Sequence, residues 1–460
     1  LSRRLTALLA GLLLLILSGG TILWLVGYQS PATLLPRIEV SGVAIGGLNP
    51  REAEKVLNTA AVKRLNSPLM VVCGSKVWHL SYRDLGYRLD YQVALKKAQE
   101  ASTAASWYRA AYQRLRNHFI PLKLDWQVEV DHEQALAVLR PVAAPHERKA
   151  ADARLIIRED TVSIQPAVTG WRLDEEQALA KLKSLIPGEA GAVLRLQIVP
   201  VAPKISTREV QLMRISGLLA SYSTSFNPAQ ENRTANIVTA ARALDDLLLA
   251  PGESFSFNQT VGPRSNDQGY LQAPVIINGE LTPDLGGGVC QVSSTLYNAA
   301  LLSNLQISER HNHSLPVGYV PLGRDATVSY GYLDLAFVNT TGSHILLKTE
   351  VQRDTLTVKV FGNTKAHPSD LSLETEVVEV LPPPETIIED PNLPRGKTFT
   401  EQEGSAGYVT KTYLVRGTGT AKTRRLISQD RYNPKPTVLR AGSGGAKGVQ
   451  KPQPENSAAE

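Results

Sequence analysis

Residues 283–298 read PDLGGGVCQVSSTLYN, and the fold of the central segment turns on how that stretch is parsed. Three consecutive glycines, Gly286 to Gly288, let the backbone turn sharply and approach a ligand, because no Cβ restricts φ. Val289, Val292, Leu296 and Ala299 follow at helical spacing and predict a core-facing stripe, with Cys290, Ser294 and Tyr297 on the neighbouring face. The stretch therefore reads as a tight turn opening a helix, with Cys290 in the first turn. There the unpaired N–H groups and the helix dipole favour a thiolate. The same N–H groups would hold an oxyanion.

Downstream, residues 309–314 read ERHNHS and residues 323–328 read GRDATV. His311 or His313 could take the proton of Cys290, and Asp325 could orient the imidazole, which makes these four residues a candidate catalytic set for a thiol enzyme. Other readings compete for them. A free cysteine is commonly a small buried hydrophobe, and a glycine run a plain turn. Cys290, His311 and His313 could ligate zinc, although His-x-His on a strand aims both rings one way without fixing the thiol beside them. Cys73, the second of two cysteines, could form a disulfide with Cys290. Arg310 is a candidate ligand contact, or else the partner of Glu309 or Asp325 in a polar core. Without a Walker loop, dinucleotide fingerprint or HExxH, the sequence assigns neither metal nor cofactor.

With PGESFSFNQTVGPR at 251–264, these blocks closely resemble the VanW domain, over nearly all of a mixed α+β segment at 206–363. The resemblance implies a bacterial cell-envelope protein associated with wall maintenance or glycopeptide resistance. It supplies no biochemical activity.

Upstream the text repeats itself. Gly86-Tyr87-Arg88-Leu89-Asp90 returns as Gly170-Trp171-Arg172-Leu173-Asp174, an offset of 84 that also carries Lys97 onto Lys181. Asn49 and Asp131 each precede an amphipathic pattern as an N-cap would, and Asp90 and Asp174 are expected to cap the helices that follow. The pattern predicts two related α+β units, at about 36–120 and 121–203. Tyr87 and Trp171 could stack on sugar rings or simply pack strand against helix. These signatures resemble the peptidoglycan-binding repeats at the front of VanW-family proteins.

Beyond Leu371 a Pro-rich acidic stretch leads into alternating segments such as Tyr408 to Val415, which read as strands. Between Gly404 and Gly442, eight Lys or Arg side chains accompany a single acid after the opening turn, Asp430. Spaced glycines and NPKPTVLRAG make 371–442 resemble the G-five module, a small all-β ribbon that the resemblance associates with amino sugars. Arg424 and Arg425 are its candidate ligand contacts. The tail at 443–460 is rich in Gly, Pro, Lys and Gln and is expected to be disordered.

At the other end, Arg3 and Arg4 precede an uncharged apolar run over residues 5–27, enough for one membrane span with the remainder outside the cytoplasm. A cleaved signal peptide is the rival, with Ser18-Gly19-Gly20 as its small-residue stretch. The 460 residues, 43% hydrophobic, call for about three domains and exclude wholesale disorder. A net charge of +6 without a concentrated basic patch argues against nucleic acid and allows peptidoglycan or anionic wall polymers as partners. The expectation is therefore a multidomain, membrane-anchored α+β protein that binds peptidoglycan or wall glycans, with a cysteine-dependent acyl-transfer or amide-hydrolysing enzyme acting on wall peptides through Cys290 as the alternative.

Overall fold

A computed structural model describes residues 33–103, 106–277, 280–368, 370–417 and 419–444, with isolated helical positions at 8, 11–14, 17–19 and 21. The expected anchor at 1–28 otherwise lies outside the described residues, as does the tail from 445 on. Its first two residues, 443 and 444, instead finish the strand Thr437–Gly444. Among the described residues no helix is long and apolar enough to cross a membrane. The chain is multidomain α+β, with more strand than helix, and divides into two compact units, 1–152 with 167–204 and 153–166 with 205–460.

The first unit is a set of short helices over two- and three-stranded sheets. Ile38–Val40 lies between Val43–Ala44 and Leu122–Leu124, and Pro68–Cys73 lies between Lys76–Ser81 and Val193–Arg195. Tyr87–Asp90 pairs with Gln127–Val130, and Gly170–Leu173 with Ile198–Val201. The helices start where their caps dictate. Asn49 and Glu52 form a capping box on Pro50–Leu65, while Asp131 and Asp174 accept from the N–H groups of Gln134 and Gln177. Asp90 differs by one position. It is still in its strand and reaches the N–H of Gln92, so Tyr91 is the cap residue of Gln92–Ser102.

The second unit is built on a six-stranded antiparallel sheet, in the order Leu247–Leu249, Ile345–Gln352, Thr355–Gly362, Gly217–Ser225, Thr161–Gln165 and Arg154–Arg158. The last two strands come from the segment read as part of the second front repeat. Leu155, Ile157 and Val162 pack there with Ile215, Leu346 and Phe361, so their apolar side chains are covered within this unit. The helices Glu231–Leu244 and Val289–Leu302 pack on the sheet. Every residue from Gln291 to Leu301 is buried, which makes the second helix the axis of the core.

The C-terminal module is all-β, as its alternating pattern predicts. Leu371–Leu381, Gly407–Arg416 and Thr423–Tyr432 form one sheet, and Glu385–Pro394, Thr437–Gly444 and Thr398–Gln402 another. Leu373 and Leu414 of the first sheet belong to the same buried cluster as Val292, Leu296 and Phe337. The root of the module and the segment before it thus share one core.

Candidate active site

The three-glycine turn is shaped by its neighbours. Gly286 and Gly288 adopt φ of +84° and +107°, a region other residues rarely enter. A Cβ on Gly286 would lie 2.9 Å from Cγ of Arg264, and one on Gly288 3.0 Å from Cγ of Arg233. Two arginine stems therefore cross the turn, one over each glycine. Asn236 pins it from below, donating to the carbonyls of Leu271 and Gly287. Cys290 then falls in the first turn of Val289–Leu302, half-buried, and its N–H donates to no backbone carbonyl among the described residues.

The polar side chains after the cysteine hold a second segment against the helix. Ser293 donates to the carbonyl of Ala326 at 2.6 Å, Ser294 accepts from the N–H of Ala326 at 2.9 Å, and Asn298 donates to the carbonyl of Arg324 at 2.7 Å. This clamp fixes Asp325 between its attachment points. The Oδ2 of Asp325 accepts from both the backbone N–H and the Nδ1 of His313, each at 2.6 Å. The His313 ring is buried beside the Cys290 sulfur, whose own thiol reaches the carbonyl of Val328 at 3.6 Å.

The remaining oxygen of Asp325 is also occupied. Oδ1 accepts from the hydroxyl of Tyr432 at 2.5 Å and from Nη2 of Arg310 at 3.3 Å. Arg310, 6% exposed, pairs through Nη1 with Asp430, itself 5% exposed. Thiol, imidazole, carboxylate, guanidinium and carboxylate thus alternate in one chain across the domain. Burial alone would push the Cys290 thiol up, yet His313 and Arg264 outweigh it and hold the thiol below its ordinary range. Burial would likewise lower His313, but Asp325 and the thiol raise it to about 9. Asp325 is held low against its own burial by His313 and Arg310. All three directions favour the thiolate–imidazolium pair.

The other expected residues fall elsewhere. The ring of His311 pairs with Glu309 at 3.1 Å on the exposed side, while its backbone bridges to Thr327 beyond the end of the strand Gln306–Glu309. The zinc reading loses its third ligand in this way, and both cysteines are free thiols. Arg310, a candidate ligand contact, is instead a buried structural ion. Tyr87 is buried as well, its hydroxyl donating to the carbonyl of Leu182 at 2.5 Å and its ring set edge-on to Tyr82. Trp171 is different: it is 40% exposed and lines a cavity of about 480 Å³ with Gly74, His146, Leu196 and Ile198. In the module, Arg424 lies 4.0 Å over the Tyr413 ring and pairs with Glu374 and Glu376, while Arg425 is exposed. Acids from the preceding strands therefore offset much of the basic run.

Sequence reading missed Tyr432, Asp430, Arg233 and Arg264 as members of the site. The one available signal was Asp430, the lone acid amid the basic run, since an isolated acid there asks for a buried cation.

These features meet a known family. The chain belongs to the family of VanW-like proteins, whose family description "VanW like protein" matches residues 232–361. Residues 78–194 match the family described as "Putative peptidoglycan binding domain", and residues 373–443 the G5 domain. An uncharacterised protein of Bacillus subtilis (strain 168), YoaR, is 36% identical over 221 residues, which cover 48% of this chain and 72% of that one. The vancomycin B-type resistance protein VanW of Enterococcus faecalis (strain ATCC 700802 / V583) is 37% identical over 129 residues, 27% of this chain and 47% of the relative. A solved IgA1 protease G5 domain, 92% of it covered by 16% of this chain, is 22% identical with a TM-score of 0.13.

Proposed function

We propose that this cell-envelope protein performs cysteine-dependent acyl transfer or amide hydrolysis on wall peptides, and is kept at its substrate by peptidoglycan or anionic wall polymer. The observation that carries the chemistry is the hydrogen bond from Nδ1 of His313 to Asp325, with a half-buried Cys290 beside the ring at a helix start. The thiolate would attack the amide carbon, and the C–N bond would break as His313 gives its proton to the leaving amine. The resulting thioester would pass to water or to an acceptor amine, whose proton returns to His313. The Cys290 N–H, in the first turn, is placed to receive the developing oxyanion.

Binding falls to the front units, whose family description supports it, and to the C-terminal module, with the cavity at Trp171 as the candidate sugar contact. The apolar run over residues 5–27 would tether the chain to the cytoplasmic membrane. The deciding experiment incubates the wild-type chain and Cys290→Ala with purified sacculi and peptide-bearing wall fragments. A thioester adduct on Cys290, trapped by mass spectrometry and absent from the variant, is the expected result. If both proteins sediment with sacculi and neither alters the peptides, the thiol chemistry is refuted and a binding protein remains.

A further inference from the structure

The C-terminal module reaches into the thiol centre with an organised set of buried polar groups. Thr423–Tyr432 supplies Asp430 and Tyr432, 5% and 1% exposed, and Gly407–Arg416 supplies Thr412, fully buried. Each addresses the segments that carry the site. Tyr432 donates to Asp325 and accepts from the N–H of Gly323 at 2.7 Å, and Thr412 donates to the Gly323 carbonyl at 3.2 Å. Asn433 donates to the carbonyl of Ser314 at 2.7 Å, and Asn312 to that of Arg431 at 2.9 Å, bracketing His313. A module that served only to hold glycan would need none of this, since burying polar groups costs free energy unless each is paired.

The arrangement also controls where Asp325 directs its charge. A carboxylate between an imidazolium and a guanidinium divides itself between them. Asp430 draws Arg310 outward through Nη1, and Tyr432 occupies Oδ1, which leaves Oδ2 aimed at Nδ1 of His313. We propose that the C-terminal module is the second half of this site: Tyr432 and Asp430 are positioning residues that keep Asp325 in line with His313, and the centre is incomplete without them. This rests on the thiol chemistry proposed above. Remove either group, and the carboxylate turns toward Arg310 and away from the imidazole.

The test follows iodoacetamide labelling of Cys290 by peptide mass spectrometry between about pH 5 and 10 in the full chain, wild type beside Tyr432→Phe and Asp430→Asn. Besides those two residues, the charged or titratable groups facing the pair are Asp325, Arg310, Tyr297, Tyr319, Arg233 and Arg264. Wild type is expected to react well below the ordinary thiol range and to show an upper limb near 9, where His313 gives up its proton. In both variants that limb should fall by roughly one pH unit, a tenfold loss of proton affinity. An upper limb left in place in either variant, with native melting, overturns the inference and leaves the thiol chemistry standing. A wild-type thiol titrating in the ordinary range overturns both. Should Tyr432→Phe fail to fold, Asp430→Asn decides.

Discussion

Gly323→Ala is the sharpest probe of the junction between the module and the rest of its unit. Gly323 has φ of +79°, and a Cβ built on it would lie 2.2 Å from Oγ1 of Thr412. The backbone conformation alone costs a non-glycine residue about 1 kcal/mol. The overlap forces Thr412 away, which breaks its bond to the Gly323 carbonyl and displaces the N–H that Tyr432 accepts, about 1 kcal/mol each. The sum is about 3 kcal/mol, or roughly 6–12 °C of melting temperature for a unit of this size. Gly318→Ala, on the same connection, is the control: nothing lies within 4 Å of its Cβ, and its change should stay inside about 0.5 kcal/mol. Differential scanning calorimetry of both variants measures the difference directly. If Gly323→Ala melts within a degree or two of Gly318→Ala, the contact with Thr412 and Tyr432 does not exist as described.

The buried histidine makes stability depend on pH. His313 is raised to about 9 in the fold against about 6.5 unfolded, so its contribution is complete below about 6.5 and is lost as pH climbs through about 9. Asp325→Asn should flatten that slope in a melting series, and a variant curve parallel to wild type would contradict the pairing. Tyr87→Phe should cost about 1 kcal/mol in a denaturant melt and leave sacculus retention unchanged, since its hydroxyl is spent on Leu182. Trp171→Ala should do the reverse in a sedimentation assay, weakening retention with little change in melting. In the module, Arg425→Glu should reduce low-salt retention with stability intact, whereas Arg424→Glu also sets a third acid against Glu374 and Glu376 and should lower the melt by up to about 1 kcal/mol.

Local rules were legible in the sequence to the extent that neighbours in sequence decide them. Asn49, Asp131 and Asp174 cap helices because capping is settled within four residues, and the stripe of Val289, Val292, Leu296 and Ala299 is core because helical period fixes a face. The pair Cys290 and Asp325 was legible as chemistry, but the choice between His311 and His313 was not. It depends on how the chain runs beyond the strand Gln306–Glu309, and strand ends leave almost no trace in composition. Least visible were the contacts that cross long stretches of chain. Arg310 read more readily as a core ion than as a ligand contact, but with Glu309 or Asp325 as its partner and not Asp430. The glycines read as a tight turn with nothing over it, because nothing in the text shows that Arg264 and Arg233 pass over them.

The bond between Tyr432 and Asp325 also orders events in time. Cys290 and Asp430, one of the groups that complete its surroundings, are separated by 140 residues of chain. At a synthesis rate of about 5–20 residues per second, roughly 7–28 s pass between the appearance of the thiol and that of its final neighbours. Until the strand Thr423–Tyr432 is made, Asp325 would be free to turn toward Arg310, and the cysteine would behave as an ordinary thiol. On the proposal above, the nascent chain carries its own delay: the sulfur would mature only when the strand that carries Asp430 and Tyr432 reaches the segment that holds Asp325.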